Sequence, residues 1–599
     1  MRKTIALAPQ TNGPETILFG LLACSLVLTP LAISSLQLYY DITPKVVGAL
    51  IAGASGAFYF AAKYADLNAD QQDRFFLGTL AAHAVVLILA TVLSTSTVLS
   101  FGGGVWRRFG LSSRLAILMA AGALFLILRR SPEKMRWLLR AFAISGCLAS
   151  IYAICQYFRI DPWIDASTYA DSYWNTLRPP STMGQAIYFA VFCVQLGFWA
   201  LQLAATPKSI PDRILGYSCA GLCFFALLLS GTRAALLGVF AGAIVVIFRE
   251  KRAWRSLLTI FIALGICLAL YLSPSGGFLR NRVADWATDA GGTRLQLWSD
   301  SVRMGFSRFA SGFGLESFSP QFPFYQSVQL AAAYPEHLHE SSHNIVLDVF
   351  LEQGIAGVLA FGALIFFTLS RANRRQSAFL TAGLAGALVT QQFMAFTIAT
   401  YLLLIVNLVL VAADSLPKGG TPATPLNVPR WPVLIVGIVF LGLAARYWAR
   451  DSGLVRVNEF LNQSNIDAAI DAYAVLDRSQ LLGEPPDLWL SRKLTTSVPR
   501  SSGPAIKNRA WTEAVDCAQR AKEVSEQRFN ASFQLSLLWA QADDVQKTEE
   551  NLRLTIAWAP RWYKPHWYLS KLLSATARKE EGAKEKAIAL SLVGDLPLD

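Results

Sequence analysis

The sequence has few charged residues and lacks the cysteine patterns that indicate disulfide bonds or bound metal. Only 16% of its 599 residues are Asp, Glu, Lys or Arg, whereas a soluble domain carries roughly 25%. Its eight cysteines include no C-x-x-C motif, so neither a zinc site nor a redox site of that type is supported. Apolar residues make up 54% of the chain. They form runs of about 20 residues, the length that crosses a bilayer.

These runs predict an all-α fold, a polytopic transmembrane helix bundle with about 12–13 spans. The spans are placed at residues 16–37, 44–62, 75–95, 114–128, 137–157, 184–205, 214–231, 233–248, 256–273, 344–369, 377–394, 397–413 and 430–447. The stretch 377–413 could also form one bent helix instead of a hairpin. A long polar insert, residues 274–343, separates two of the apolar runs.

The positive net charge, +13, would favour nucleic acid as a partner of a soluble protein. Here much of the excess lies in short basic loops between the apolar runs. These loops are residues 129–136, 249–255 and 370–376. Cytoplasmic loops are enriched in Lys and Arg, so we place these loops inside, place the 274–343 insert outside, and expect no nucleic acid. One outside loop, with Arg107, Arg108 and Arg114, contradicts the rule.

The chain becomes ordinary in polarity after residue 450. We therefore divide it into a transmembrane domain (1–413), a linker with the last transmembrane helix (414–450) and a periplasmic helical tail (451–599). Two segments of the tail superpose at an offset of about 34 residues, the tetratricopeptide period, with Phe533 on Trp567. Such repeats predict a docking surface for a partner protein, and the alternative is a helical cap that only stabilises the fold.

Four outside segments each place a polar group in an apolar context. They are 176–190 with Arg178, 227–238 with Arg233, 291–298 with Arg294 and 337–357 with His343. An arginine near a bilayer is costly unless it has a partner, so each is a candidate functional residue. The guanidinium fork suits phosphate, and three arginines together could neutralise a pyrophosphate. The alternative for each is snorkelling to the interface or pairing with a structural carboxylate.

His343 is the candidate general base, since a histidine titrates near neutral pH. Ser341 and Ser342 resemble a helix N-cap, which would place His343 in the first turn of the following span. The alternative role is a capping or loop hydrogen bond. The secondary candidates are Glu336, Glu340 and His339.

The segment from His339 to His343 also satisfies H-E-x-x-H, the zinc metallopeptidase motif. Both histidines could bind one metal ion only if all five residues were helical, and the two serines indicate that the helix begins inside the motif. A third ligand is not obvious either. We therefore predict no metal, and we interpret His337 and His339 mainly as loop residues.

Four segments together resemble the O-antigen ligase/polymerase family of bacterial membrane glycosyltransferases. They are RPPSTMGQAIYFA, LLLSGTRAALLG, TRLQLWSDSVRMGFSRFASGFGLESF and SSHNIVLDVFLEQGIAG. They follow one another in that order, each at the outer end of a span. The resemblance covers the chain to about residue 413 and leaves out the last span and the tail.

The resemblance implies a glycan donor on undecaprenyl diphosphate, no cofactor and a location in the bacterial inner membrane. Arg178, Arg233 and Arg294 would hold the diphosphate, and His343 would activate the acceptor hydroxyl. The acceptor could be a glycolipid, a growing glycan or a protein, which distinguishes a ligase from a polymerase and from a protein O-oligosaccharyltransferase. A transporter of lipid-linked sugars is the alternative from another class. It would place polar groups at mid-membrane in two related halves, whereas here they lie at outer ends.

Overall fold

The computed structural model describes residues 13–171, 176–250, 253–288, 292–336, 338–372, 377–416, 422–476, 480–499, 501–525 and 527–593. These residues are mostly helical with very little strand, which confirms the predicted all-α class. The strands found within them have two residues each: β1 Asn68–Ala69, β2 Ala170–Asp171, β3 Thr176–Leu177 and β4 Thr424–Pro425. β1 pairs antiparallel with β4, and β2 pairs antiparallel with β3.

Each predicted span overlaps a helix, although the helix of the first span ends at Leu28 and not at residue 37. In the part of the chain before the polar insert the helices are α1 Gly13–Leu28, α2 Thr43–Lys63, α3 Gln71–Val92, α4 Thr97–Gly102, α5 Leu111–Arg130, α6 Glu133–Tyr157, α7 Ala186–Ala205, α8 Ile210–Leu229, α9 Arg233–Arg249 and α10 Ala253–Leu272. The insert contains α11 Gly277–Thr288, α12 Arg294–Ser307, α13 Phe318–Gln321 and α14 Val328–Ala333. The bundle ends with α15 Ile345–Arg371, α16 Ala378–Thr390, α17 Ile398–Ser415 and α18 Arg430–Asn462.

Among the described residues, ten helices are long and apolar enough to cross a membrane. The other three predicted spans form α1, α9 and α16, which have 16, 17 and 13 residues. The short α16 packs between α7 and α9. There Gly238 and Gly386 let two backbones meet, since a Cβ atom on Gly238 would lie 2.6 Å from the Gly386 carbonyl oxygen. α16 and α17 are two separate helices, which decides against one bent helix.

The two ends of the bundle differ in their contacts. At the basic end, Arg129 contacts Asp73 at 2.6 Å and Asp70 at 3.2 Å, and Arg140 contacts Asp212 at 2.5 Å. These pairs join the end of α5 to the start of α3, and the first turns of α6 to the start of α8. At the opposite end, the tail end, lie the polar insert and the C-terminal tail. The chain reaches the tail end after α1, α3, α6, α8, α10, α16 and α18.

The polar insert folds onto α15 through a kink in that helix. Gly354 interrupts α15 with φ 63° and ψ −163°. The carbonyl of Leu351 accepts from the Phe313 amide at 2.8 Å, and the carbonyl of Glu352 accepts from the Gly314 amide at 3.0 Å. The kink therefore replaces helical hydrogen bonds by bonds to the insert.

The tail consists of consecutive helices that pack against one another. They are α19 Ile466–Ala474, α20 Asp487–Ser497, α21 Pro504–Val524, α22 Arg528–Gln541, α23 Val545–Trp558, α24 Tyr563–Ala575 and α25 Lys579–Val593. The pair α24 and α25 repeats the pair α22 and α23 about 34 residues later, near the tetratricopeptide period. α18 runs through residue 451 without a break, so the predicted boundary at 450/451 falls inside a helix. Residues 594–599 of the tail lie outside the described residues.

The tail docks on the tail end of the bundle. The Arg108 guanidinium donates to the carbonyls of Leu482 and Glu484 at 2.7 and 2.9 Å. Arg450 donates to the same Glu484 carbonyl at 2.8 Å. The backbones meet at Gly483, where a Cβ atom would lie 2.2 Å from the Gly103 carbonyl oxygen. The contact is therefore specific and closely packed.

The basic residues that contradict the charge rule are all held by partners inside the protein. Arg107 pairs with Glu316 at 2.9 Å, and Arg114 pairs with Glu352 at 2.7 Å. Arg108 is buried and bonded to tail carbonyls. The charge rule concerns loops that carry net positive charge beside the membrane. Two of these arginines are neutralised by carboxylates, and the third is shielded by the tail.

Candidate active site at the tail end

The tail end brings together the N-termini of three helices and the segment before a fourth. Arg233 is the first residue of α9 and Arg294 the first residue of α12, while His343 comes two residues before α15. Arg178 lies between β3 and α7. All four predicted residues are thus on one end of the bundle, although they are spread over more than 160 residues of sequence.

Three arginines surround the turn between α8 and α9. Arg178 Nε donates to the Ser230 carbonyl at 3.2 Å. Arg282, from α11, donates through Nε to the Gly231 carbonyl at 3.4 Å. The turn itself leads into Arg233. Gly231 has φ +60°, and a Cβ atom there would lie 2.7 Å from Arg282 Cγ, so glycine lets the arginine approach.

The electrostatics of this turn favour an anion. Burial, together with repulsion from Arg282 and Arg233, lowers the pKa of Arg178 to about 10. A guanidinium is cationic in nearly every protein environment, so Arg178 keeps its charge at neutral pH and its environment opposes that charge. A bound anion would remove the opposition. The start of α9 adds the partial positive charge of a helix N-terminus, which suits phosphate.

His343 lies in a tight loop before α15. Its φ is +53°, a left-handed conformation that is uncommon for residues other than glycine. The Ser341 hydroxyl accepts from the His343 amide at 3.0 Å. The N-cap is Asn344, whose side chain accepts from the amides of Val346 and Leu347. The prediction that His343 lies in the first helical turn is therefore wrong: the cap follows it, because Asn344 supplies the capping oxygen.

Contacts from three elements hold this loop. Asp348 Oδ1 accepts from the Ser342 amide at 2.9 Å and from the Ser342 hydroxyl at 2.7 Å. Trp298 Nε1, on α12, donates to the Ser342 carbonyl at 3.0 Å. Arg107 donates to the Glu340 carbonyl at 3.4 Å. A strained residue persists where its neighbours over-determine its conformation, and these bonds fix the backbone immediately before His343.

Arg294 is beside the same loop. Its guanidinium carbon lies 5.9 Å from the ring centre of Phe393, and the ring of Trp298, one turn further along α12, lies 6.1 Å from that ring. Asn344 Nδ2 donates to the Gln392 carbonyl at 3.4 Å. The segment that ends α16 therefore contacts both the start of α12 and the start of α15.

The same segment connects the two groups of residues. α16 packs along α9, with a Cβ atom on Gly238 only 2.1 Å from Thr390 Oγ1. Arg233 is at the start of α9, and Gln392 and Phe393 follow the end of α16. The three arginines around the α8–α9 turn and the Arg294–His343 group thus lie on adjoining parts of one rim.

The secondary candidates have mainly structural contacts. Glu336 pairs with Lys564 of the tail at 2.5 Å and accepts a hydrogen bond from the Tyr563 hydroxyl. His339 is buried, with its ring 5.7 Å from that of Phe322. Glu340 contributes its backbone carbonyl to the contact with Arg107. His337 lies outside the described residues.

The H-E-x-x-H motif is not helical. α15 begins at Ile345, after both histidines, so the two rings do not share the i, i+4 face that a zinc site of this type needs. The prediction that the helix begins inside the motif is wrong by two residues, because α15 begins after His343. In the part of the chain that the structure describes, no group of three or more His, Cys, Asp or Glu side chains could hold a metal ion.

Sequence reasoning missed Arg282, Asp348 and the Arg107–Glu316 pair. Arg282 lies in a polar segment that gave no reason to choose it over its neighbour Arg280. Asp348 did carry a signal, because an ionisable residue inside a membrane span is a functional candidate by default. The partner of Arg107 is 209 positions away in sequence, and no local pattern identifies a pair at such a separation.

The fold and this rim define a multi-pass membrane protein with a cationic site at one end of its helix bundle. Residues 219–362 match the protein-family model described as O-Antigen ligase. The match includes Arg233, Arg282, Arg294 and His343 but neither Arg178 nor the tail, and it covers well under half of the chain. No curated protein matches the chain. The match supports a membrane glycosyltransferase or ligase of the O-antigen kind.

Proposed function

We propose that this protein transfers a glycan from an undecaprenyl-diphosphate carrier to an acceptor hydroxyl at the outer face of the bacterial inner membrane. The observation that carries the proposal is the convergence of Arg178, Arg233 and Arg282 on one turn, on the same rim as Arg294 and His343. In this orientation the polar insert and the tail are periplasmic.

The arginines bind and stabilise the diphosphate. As the bond between the anomeric carbon and the diphosphate oxygen breaks, negative charge grows on the departing lipid diphosphate. Cations already fixed in a site of low dielectric stabilise that charge without reorganisation. Four arginines supply them here, so the proposal assigns the charge stabilisation to protein side chains and needs no metal cofactor.

His343 acts as the general base. Its imidazole accepts the proton of the acceptor hydroxyl while that oxygen forms the new bond to the anomeric carbon. Direct displacement inverts the configuration of that carbon. Asp348 is a positioning residue, because it holds Ser342 and through it the backbone of His343.

The position of the charges favours a transferase over a transporter. A transporter of lipid-linked sugars would bind its substrate near the middle of the membrane, between two related halves. The four arginines of the proposed site gather instead at one end of the bundle, with Arg233 and Arg294 at helix N-termini. Among acceptors we favour a glycolipid. A polymerase acting on a growing glycan and a protein O-oligosaccharyltransferase are the alternatives, and the repeat-like tail is the feature that favours a protein acceptor.

The test is complementation of a strain that lacks the gene, with the wild-type chain and with His343→Ala. The wild-type chain should restore the surface glycan, and His343→Ala should not, although it should accumulate to a similar level. The deletion strain identifies the acceptor. Loss of capped lipid A–core indicates a glycolipid acceptor, loss of long chains indicates a growing glycan, and loss of modified protein indicates a protein.

The matched control is Gln329→Ala, which removes an exposed polar side chain from α14 in the same insert. It should restore the glycan as well as the wild-type chain does. Glycan transfer by His343→Ala at the wild-type rate would refute the role of His343 as base.

A further inference from the structure

A cavity of about 350 Å³ lies between the tail and the bundle. Its bundle wall includes Tyr39 and Trp106, and its tail wall includes Trp489, Arg492 and Gln527. Its volume is near the lower end of the roughly 300–1,000 Å³ that small-molecule sites occupy. We name it the tail cleft.

The tail cleft is a built feature, because a buried carboxylate fixes its two walls together. Glu484 is 5% exposed. Its Oε2 accepts from the Val105 amide at 3.0 Å, and its Oε1 accepts from the Ser525 hydroxyl at 2.6 Å. Gln527 then donates to Ser319 of α13 at 3.3 Å. The tail therefore contacts both the loop before α5 and the polar insert at the cleft.

The lining suits a sugar ring. Trp106 is 60% exposed although it lies in a concave site, and the partly buried Trp489 lies on the tail wall. A pyranose has a face of C–H groups that packs on an aromatic ring and a rim of hydroxyls that need hydrogen-bonding partners. Arg492 and Thr496 offer such partners in the lining of the cleft. Aromatic surface with a few placed polar groups is the usual composition of a small-molecule site.

The backbone of the cleft is less suited to a peptide. A peptide that binds by adding a strand needs free main-chain groups of the host. Here the Glu484 amide already donates to the Gly103 carbonyl at 3.1 Å, and the Val105 amide donates to Glu484. The main chain at this wall is used by the docking contact, so recognition falls to side chains.

The cleft is next to the candidate active site. Trp106 precedes Arg107, whose guanidinium donates to the Glu340 carbonyl, three residues before His343. A glycan chain that leaves the reacting centre along this loop reaches the tail wall next. We propose that the tail cleft is a glycan subsite that binds sugar units of the chain beside the point of transfer. This proposal rests on the proposed function, whose acceptor or donor supplies the glycan.

The experiment measures binding of oligosaccharides to the full-length protein in detergent. One probe is the oligosaccharide released from the host's lipid-linked donor, and the other is the core oligosaccharide of its acceptor glycolipid. Trp106→Ala and Trp489→Ala should each weaken binding of at least one probe by about tenfold, the scale of a lost aromatic anchor. The probe whose binding is weakened tells whether the cleft holds donor or acceptor sugar.

The matched control is Trp431→Ala, since Trp431 is 65% exposed but lies at the basic end. It should bind both probes as the wild-type protein does. The assay measures binding and not transfer, so the cleft can be tested even if His343 proves not to be the base. Equal binding by the wild-type protein and both cleft variants would overturn the subsite and leave the proposed transfer untouched. Binding of an acceptor peptide by the wild-type protein, with no binding of either oligosaccharide, would overturn the subsite as well.

Discussion

At the scale of single residues, the main feature is a set of like charges held close together. Arg178 and Arg282 both donate to carbonyls of the α8–α9 turn, which leads into Arg233. Because the pKa of Arg178 falls to about 10, below its ordinary value, its charged form is less favourable in the folded protein than in the unfolded chain. This cost is present at every pH below about 10 and decreases only as the pH rises above that value.

A bound polyvalent anion should therefore stabilise the protein. Inorganic pyrophosphate should raise the melting temperature of the wild-type protein, and Arg282→Gln should reduce this rise because it removes one of the three cations. A ligand at 100 times its Kd stabilises a fold by about 2.7 kcal/mol. Thermal unfolding followed with and without pyrophosphate measures the effect.

The control for this prediction is Arg303→Gln. Arg303 is on α12, as Arg294 is, but its side chain is 60% exposed and pairs with Asp300. This variant should keep the full effect of pyrophosphate. If pyrophosphate protects Arg282→Gln and the wild-type protein equally, the turn between α8 and α9 is not the anion site.

At the scale of elements, the kink in α15 fixes the polar insert relative to the loop of His343. The helix presents Asp348 to Ser342 in its first turn, and it then breaks at Gly354. The break frees the carbonyls of Leu351 and Glu352 for the insert. The kink thus fixes the insert, with α12 and Arg294, at a defined place over the loop of His343.

Gly354→Ala should destabilise the fold. A Cβ atom there would lie 2.3 Å from the Ala310 carbonyl oxygen, and its φ of +63° disfavours any other residue. We expect a loss of roughly 1–3 kcal/mol in the free energy of unfolding, with reduced transfer because the insert shifts. Thermal unfolding in detergent and the glycan assay measure the two effects.

Gly362→Ala is the matched control on the same helix. No atom lies within 4 Å of a Cβ atom at Gly362, and its φ is not positive. Alanine favours a helix interior over glycine by up to about 1 kcal/mol, so this variant should be as stable as the wild-type protein or slightly more stable. Equal melting of the two variants would show that the kink does not constrain the fold.

At the scale of the whole molecule, the tail is attached at several separate places. The contact of Arg108 with Leu482 and Glu484 joins it to the loop before α5, and the pair of Lys564 with Glu336 joins it to the insert. The tail therefore covers the end of the bundle at which the four arginines of the proposed site lie. This arrangement places the tail cleft beside the candidate active site.

The orientation in the membrane can be tested by cysteine labelling. Ser501→Cys is on the exposed surface of the tail, and Lys208→Cys is on the exposed surface of the basic end. Because basic loops stay in the cytoplasm, a membrane-impermeant maleimide should label position 501 in cells with a permeabilised outer membrane. It should label position 208 only after lysis.

The unsubstituted chain sets the background of this experiment, since native Cys24 is exposed on α1. Labelling of Lys208→Cys before lysis, with Ser501→Cys protected, would reverse the orientation. The proposed periplasmic reaction would then be excluded, whereas the grouping of the arginines would stand.

The sequence determined the helical class and the approximate places of the long apolar helices, because each depends on a local run of apolar residues about as long as a bilayer is thick. It also selected four residues that lie on one rim, because an arginine or histidine at the end of an apolar run is conspicuous. It placed the start of α15 wrongly, since Ser341, Ser342 and Asn344 are all good capping residues and only the fold decides which of them caps.

Only the tertiary structure decided which side chains contact one another. Arg282 joins Arg178 because α11 folds back on the α8–α9 turn, and Arg107 meets Glu316 because the insert covers the loop before α5. The tail cleft likewise exists only where the tail docks. Such contacts join residues far apart in sequence, and their energy depends on burial and geometry that no local pattern contains.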